Sequence, residues 1–145
     1  MIQRIQTLYL LLAAAATGGV FVLPFFSGTL SGVNLLADGI YNTQDHIALM
    51  AMTTLVLIDS VLAIFLFKNR KQQALFTLFV AFSNLALIGI MLGILGTETS
   101  LATTLPKLSI GLGSCLPLLN VVLTLMARSS ILADEKLVRS ADRLR

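Results

Sequence analysis

Charge is scarce in this chain, and so are the side chains on which catalysis and metal binding usually depend. Of its 145 residues 12% are charged and 57% apolar, whereas an ordinary soluble domain carries about 25% charged residues. Bulk water is a poor solvent for such a sequence. Cys115 is the sole cysteine, which excludes an intramolecular disulfide and leaves the residue most simply as core filler. His46 is the sole histidine. With no second His or Cys near it, a metal site beside Asp45 lacks its ligands, and His46 reads as an interfacial residue at a helix start. No nucleophile stands with a plausible base, and no phosphate-binding glycine loop occurs. Neither an enzymatic activity nor a cofactor is expected.

What the sequence does have is four long apolar runs, Ile5–Phe26, Ile47–Phe67, Ala74–Leu95 and Leu108–Ala127, each of 20 to 22 residues. At 1.5 Å per residue a helix of about 20 residues crosses a hydrocarbon core of about 30 Å. The runs are continuously apolar and do not alternate, which argues against the strands of a membrane β-barrel. The expected fold class is all-α: an integral membrane four-helix bundle over residues 1–127, followed by a short cytoplasmic amphipathic helix within 128–145. Arg4 and the "AAAA" at 13–16 mimic a signal peptide, but the apolar run continues ten residues past Ala16. That is too long for a signal core, so an uncleaved first span is expected.

Lysine and arginine are retained on the cytoplasmic side of short loops. With four spans, the N-terminus, the loop Lys68–Gln73 and the C-terminal tail share a side. That side carries Arg4, Lys68, Arg70, Lys71, Arg128, Lys136, Arg139, Arg143 and Arg145, and Lys107 stands alone opposite. Both termini are therefore expected in the cytoplasm. The net charge of +3 is accounted for by anionic lipid headgroups and calls for no nucleic acid.

The two outer segments, "SGTLSGVNLLADGIYNTQDH" and "GTETSLATTLPK", are rich in turn and capping residues and too short for an outer domain. Asp38-Gly39 is a hairpin signal. Asn42 or Thr43 is expected to cap the second helix, with Asp45 in its first turn. Small residues cluster in "AAAATGG" at 13–19, at Gly89, Gly93 and Gly96, and at Ser109, Gly111, Gly113 and Ser114. Helices in lipid associate through such residues, so the closest approaches are expected there, within one chain more readily than in a dimer. Pro117 strips a partner from the carbonyl of Gly113, where a bend is expected.

Counting 1.5 Å per residue from the cytoplasmic helix ends puts Asp59 about 12 Å deep, Asn84 about 15 Å and Asn120 about 10 Å. Three helices thus offer a hydrogen-bonding side chain at a shared depth, and these residues are expected to meet as an intramembrane polar cluster. A charged Asp at a span centre costs about 2.5 to 3.5 kcal/mol. No cation lies in the membrane interior to hold Asp59 charged. As a neutral acid it donates as well as accepts. It serves either as structural glue or as a proton- or cation-binding group in a transport path. A single acid without internal repeats favours glue over a transporter.

After Ala127 the chain reads "RSSILADEKLVRSADRLR", which either continues the fourth helix or follows a break at Ser129-Ser130. Leu137, Ala141 and Leu144 recur at helical spacing, and Glu135 and Arg139 form a supportive pair. The segment suits the headgroup layer or a protein partner. The start "MIQRIQTLYLLLAA", the centre "IFLFKNRKQQ" and the end "GLGSCLPLLN…DEKLVRSADRLR" resemble an uncharacterised family of four-helix membrane proteins from Bacteroidetes, catalogued as domain of unknown function four-two-nine-three. The resemblance implies four spans and an inner-membrane home, and brings no activity. It also implies that the family's signature lies in the tail and the "KNRK" loop, which directs attention to Lys68, Arg70, Lys71, Arg139, Asp142 and Arg143. The expected function is a non-enzymatic accessory or scaffold subunit acting through this basic face, in contact with membrane lipids and a protein partner. Homo-oligomerisation is compatible with it. The alternative is a small transporter or proton-coupled protein using Asp59.

Overall fold

The computed structural model describes residues 3–28, 36, 38–98 and 100–142. Four long helices, α1 (Gln3–Val20), α2 (Ile47–Phe65), α3 (Arg70–Glu98) and α5 (Leu112–Asp142), form an up-and-down bundle; a short helix, α4 (Leu101–Thr104), lies between α3 and α5. Helix α5 packs along both α1 and α3, and α2 closes the ring against the same two.

In every long helix one stripe of buried positions steps by four and three alternately, with Ala16, Asp59, Ala74, Ala81 and Ser83 buried beside it. The stripe is Gln6, Leu10, Ala13, Thr17 and Val20 in α1, Leu49, Thr53, Val56, Ser60 and Ala63 in α2, and Gln73, Thr77, Val80, Asn84, Leu87 and Met91 in α3. In α5 it is Gly113, Pro117, Asn120, Thr124, Ala127, Ile131 and Asp134. A recurrence of 3.5 residues is the seam of left-handed helix packing. Its composition is inverted relative to a bundle in water. Polar side chains occupy the seam, while Leu8, Leu11, Ile58, Leu75, Phe79 and Val122 point outward. Such a surface would be a large exposed apolar patch in water and is the favoured one in lipid.

Three helical stretches are long and apolar enough to cross a membrane: Ile47–Lys68, Arg70–Thr97 and Leu112–Val138. The first apolar run is shorter as a helix than the sequence suggests, since α1 ends at Val20 and not near Phe26. Gly18 and Gly19 weaken the helix, and Pro24 both lacks an N–H and forces Leu23 out of the helical region. The chain leaves through a turn in which Leu23 N–H donates to Gly19 O at 3.0 Å. The fourth run likewise becomes helical at Leu112, not Leu108. Gly113 is therefore the second residue of α5, so the expected bend falls at a helix start. Helix α5 passes Ser129 and Ser130 without a break; their hydroxyls donate back to Met126 O, at 2.9 and 3.1 Å, within the continuous helix.

The residues missing from the helices build a small antiparallel sheet at the end of the bundle opposite the chain termini. Strand β1 (Phe26–Ser27) lies between β2 (Ile40–Tyr41) and β3 (Ser109–Ile110), with Phe26 opposite Tyr41 on one side and Ile110 on the other. The Asp38-Gly39 signal contributes here: Gly39 takes φ 78°, and Asp38 Oδ1 accepts from Ile40 N–H at 3.2 Å. Under the sheet, Phe25 and Phe26 pack on Tyr41, with ring centroids 5.6 and 6.4 Å away. Together with Leu36, Leu49, Leu87, Met91 and Leu95 they form an apolar plug. A smaller cluster of Leu10, Ala63, Val80 and Ala127 lies toward the other end.

The capping scheme differs from the expected one. Asn42 caps a single 3-10 turn, Thr43–Asp45, accepting from Gln44 N–H at 2.7 Å while Asp45 accepts from Asn42 N–H at 2.6 Å. Helix α2 is capped by His46, whose Nδ1 accepts from Ala48 N–H at 3.1 Å. An Asx cap serves whichever turn follows it first, and the turn inserted here hands the helix start to the histidine. Cys115, expected in the core, is exposed on the outer face of α5.

Candidate functional site: the polar seam and the basic end

Asn120 is fully buried on α5. Its Nδ2 donates to Ala13 O at 2.9 Å and to Thr17 Oγ1, and Thr17 in turn donates to Ala13 O at 3.1 Å. The amide thus ties α5 to α1 where "AAAATGG" lets the backbones approach. Asn84 is also buried, but its Nδ2 donates within α3, to Val80 O at 2.9 Å. Asp59 is buried on α2, 9% exposed, and its Oδ2 has no hydrogen-bond partner. Thr53 Oγ1 and Asn120 Oδ1 are likewise buried and unpaired. The three residues expected to cluster share the interior, yet the hydrogen bonds of the two asparagines go elsewhere. The partner that sequence reasoning missed is Thr17, whose signal was its place among the small residues of the first span.

At the end where the chain terminates, Asp134 is the hub. Gln6 of α1 donates its amide to Asp134 Oδ2 and, at 3.2 Å, to Ser130 O; Arg70 of α3 donates to Asp134 O at 3.4 Å. Gln73 of α3 donates to Ala63 O of α2 at 3.0 Å. Gln6, Gln73 and Asp134 are all buried, and none was singled out in the sequence. For Asp134 the signal was present, because the α5 stripe Asn120, Thr124, Ala127, Ile131 reaches it at the next step of three. Lys68 and Lys71 are exposed, and Lys71 borders a notch of about 400 Å³ with Leu132, Glu135 and Lys136. Arg139 and Asp142 lie in α5 with side chains outside the described set, and Arg143 lies outside the described residues.

At the opposite end, Tyr41 Oη donates to Met91 O at 2.9 Å beneath the sheet. Burial, and secondarily the Asp45 carboxylate, push its phenol well above the usual tyrosine range. Asp45 is itself held above the usual carboxylate range by desolvation, opposed by the Asn42 N–H and reinforced by Asp38. Thr43 Oγ1 donates to Val20 O at 2.8 Å, closing the C-terminus of α1. These contacts lock the plug. Among the described residues no group of three or more His, Cys, Asp or Glu could hold a metal ion.

A heptad-packed bundle with a polar seam, an apolar exterior and three membrane-length helices is an all-α helical bundle compatible with a membrane protein. Within that class, the chain belongs to the family described as Domain of unknown function (DUF4293), matched over residues 2–144. No curated protein and no solved structure matches the chain.

Proposed function

We propose that this is a non-enzymatic integral protein of a bacterial inner membrane that works as an accessory or scaffold subunit, docking a partner protein on its basic end. One observation carries the reading: α5 is a single helix from Leu112 to Asp142 that is clamped to the bundle at Asp134, two turns before its end, through Gln6 and Arg70. The clamp orders the terminal segment before any partner arrives, which lowers the entropic cost of docking. Leu137 and Val138, 58% and 49% exposed, stand just past the clamp, beside the notch formed with Lys71. Lys68, Arg70 and Lys71 lie at this end, and by the positive-inside tendency, to which Arg139 and Arg143 of the sequence add, it faces the cytoplasm with both termini. Crosslinking in native membranes tests the reading with the double variant Leu137→Ser, Val138→Ser, which leaves the clamp intact. Loss of one specific crosslinked partner is expected. An unchanged set of crosslinked proteins would refute docking at this face.

One observation favours a second reading, that of a small transporter or proton-coupled protein: Asp59 is buried with an unpaired carboxyl oxygen, and an intramembrane acid is a default suspect for an ion path. Flux through liposomes carrying Asp59→Asn decides it.

A further inference from the structure

The outer surface of α3 is not uniformly convex. Leu66, in the turn that follows α2, and Gln72, Leu75, Phe76, Phe79 and Phe82 of α3 enclose an open groove of about 640 Å³. Among the described residues nothing covers it: Leu75, Phe79 and Phe82 are 70%, 52% and 61% exposed. The Phe76 and Phe79 rings stand tilted, 5.8 Å between centroids, forming one wall. We propose that this groove binds one anionic phospholipid, an acyl chain lying along the aromatic wall and the phosphate at Lys68 and Lys71. The inference rests on the membrane reading above.

Dimension, polarity and charge select this occupant. From Gln72 to Phe82 the groove follows α3 for about 15 Å, half of a hydrocarbon core of about 30 Å, which is the depth of one leaflet. Its wall is apolar along that length, with Gln72 as the polar exception, at the mouth. Lys68 and Lys71 are exposed at the same end; no Asp or Glu occurs from Ser60 to Thr97, and although Glu135 of α5 shares the neighbouring notch with Lys71, Lys136 stands beside it there. Arg70 is turned away toward Asp134 O. Lys71 precedes Leu75 and Leu78 by one and two turns, so it lies on the helix face of the groove. A second copy fits less well. Helices meet in lipid across small residues, whereas this wall is Phe and Leu, and a two-fold pairing of copies would set lysines against lysines.

Native mass spectrometry of the full chain in detergent micelles, supplied with phosphatidylglycerol or phosphatidylethanolamine, reads the site directly. A single retained phosphatidylglycerol adduct is expected, favoured about tenfold or more over phosphatidylethanolamine. Lys68→Gln with Lys71→Gln should bring the two lipids to parity. Phe79→Ala with Phe82→Ala should strip both adducts while the helical circular dichroism stays unchanged, since these rings are half out of the bundle. Equal retention of the two lipids by the original chain overturns the proposal. So does a preference that survives both double variants, or a dimer mass in place of lipid adducts. A chain that washes out of membranes in carbonate defeats the membrane reading itself, whereas one that stays in membranes without lipid preference defeats only this site.

Discussion

Asn120 and Asp59 sit in the same buried interior, and what each finds there separates glue from suspicion. Asn120 finds α1, and an interhelical hydrogen bond of this type contributes about 0.6 kcal/mol on average in a membrane protein. Asp59 leaves an oxygen unpaired, a feature that either a water molecule or a transported ion would satisfy. Asp59→Asn keeps the shape and removes the titration. On the accessory reading the variant retains thermal stability to within about 1 kcal/mol, and liposomes holding either chain show no pH-dependent flux. A flux carried by the original chain and abolished in the variant would establish Asp59 as the transporting group. Depth counting along the sequence brought these residues to a common layer because rise per residue is nearly constant in a helix. It could not say which way each side chain turns, since that depends on the rotation of the whole helix about its axis. Thr17 and Asp134 were missed for the same reason: a hydroxyl or carboxylate becomes a partner only once the facing helix is known.

At the scale of elements, small residues do two unlike things. Gly111 N–H and Gly113 N–H donate to Phe25 O and Pro24 O at 2.8 and 2.9 Å, and a Cβ on Gly113 would run into the carbonyl oxygens of Leu23 and Pro24. By contrast, a Cβ on Gly89 or Gly93 would meet nothing within 4 Å. The expected close approach thus holds for α1 and α5 and fails for the "GIMLG" of α3, which faces outward. Thermal unfolding in micelles should show Gly113→Ala losing about 1 to 3 kcal/mol through overpacking against rigid backbone. Gly93→Ala should gain up to about 1 kcal/mol from helix propensity alone. The helices were legible in the sequence because continuous apolarity and length are local properties. The sheet was not. Each of its strands is two residues long, too short for any alternation to register, and its pairing joins segments far apart in the chain. Only the glycine after Asp38 announced part of it.

The molecule as a whole has two unlike ends, a basic polar one built on Asp134 and a plugged apolar one under the sheet. Reporter fusions after Gln73 and after Arg145 test the orientation this asymmetry suggests, both being expected to report from the cytoplasm; an exported reporter at either point would contradict it. The placing of Lys68, Arg70, Lys71 and Lys136 at one end and Lys107 at the other was legible beforehand, because it needs only the order of loops. The bundle seam was not read beforehand, because its small and polar residues stand among continuously apolar runs and only the facing helices mark them out. The central strand has a consequence for biosynthesis. Strand β1 emerges from the ribosome directly after the first helix, yet one of its two edges is completed by β3, which precedes the last. During synthesis that edge waits with unpaired N–H and C=O groups while α2 and α3 are made. The sheet is consequently closed only when β3 arrives, just ahead of the last helix, and a ribosome stalled ahead of Ser109 would leave that edge of β1 without its partner.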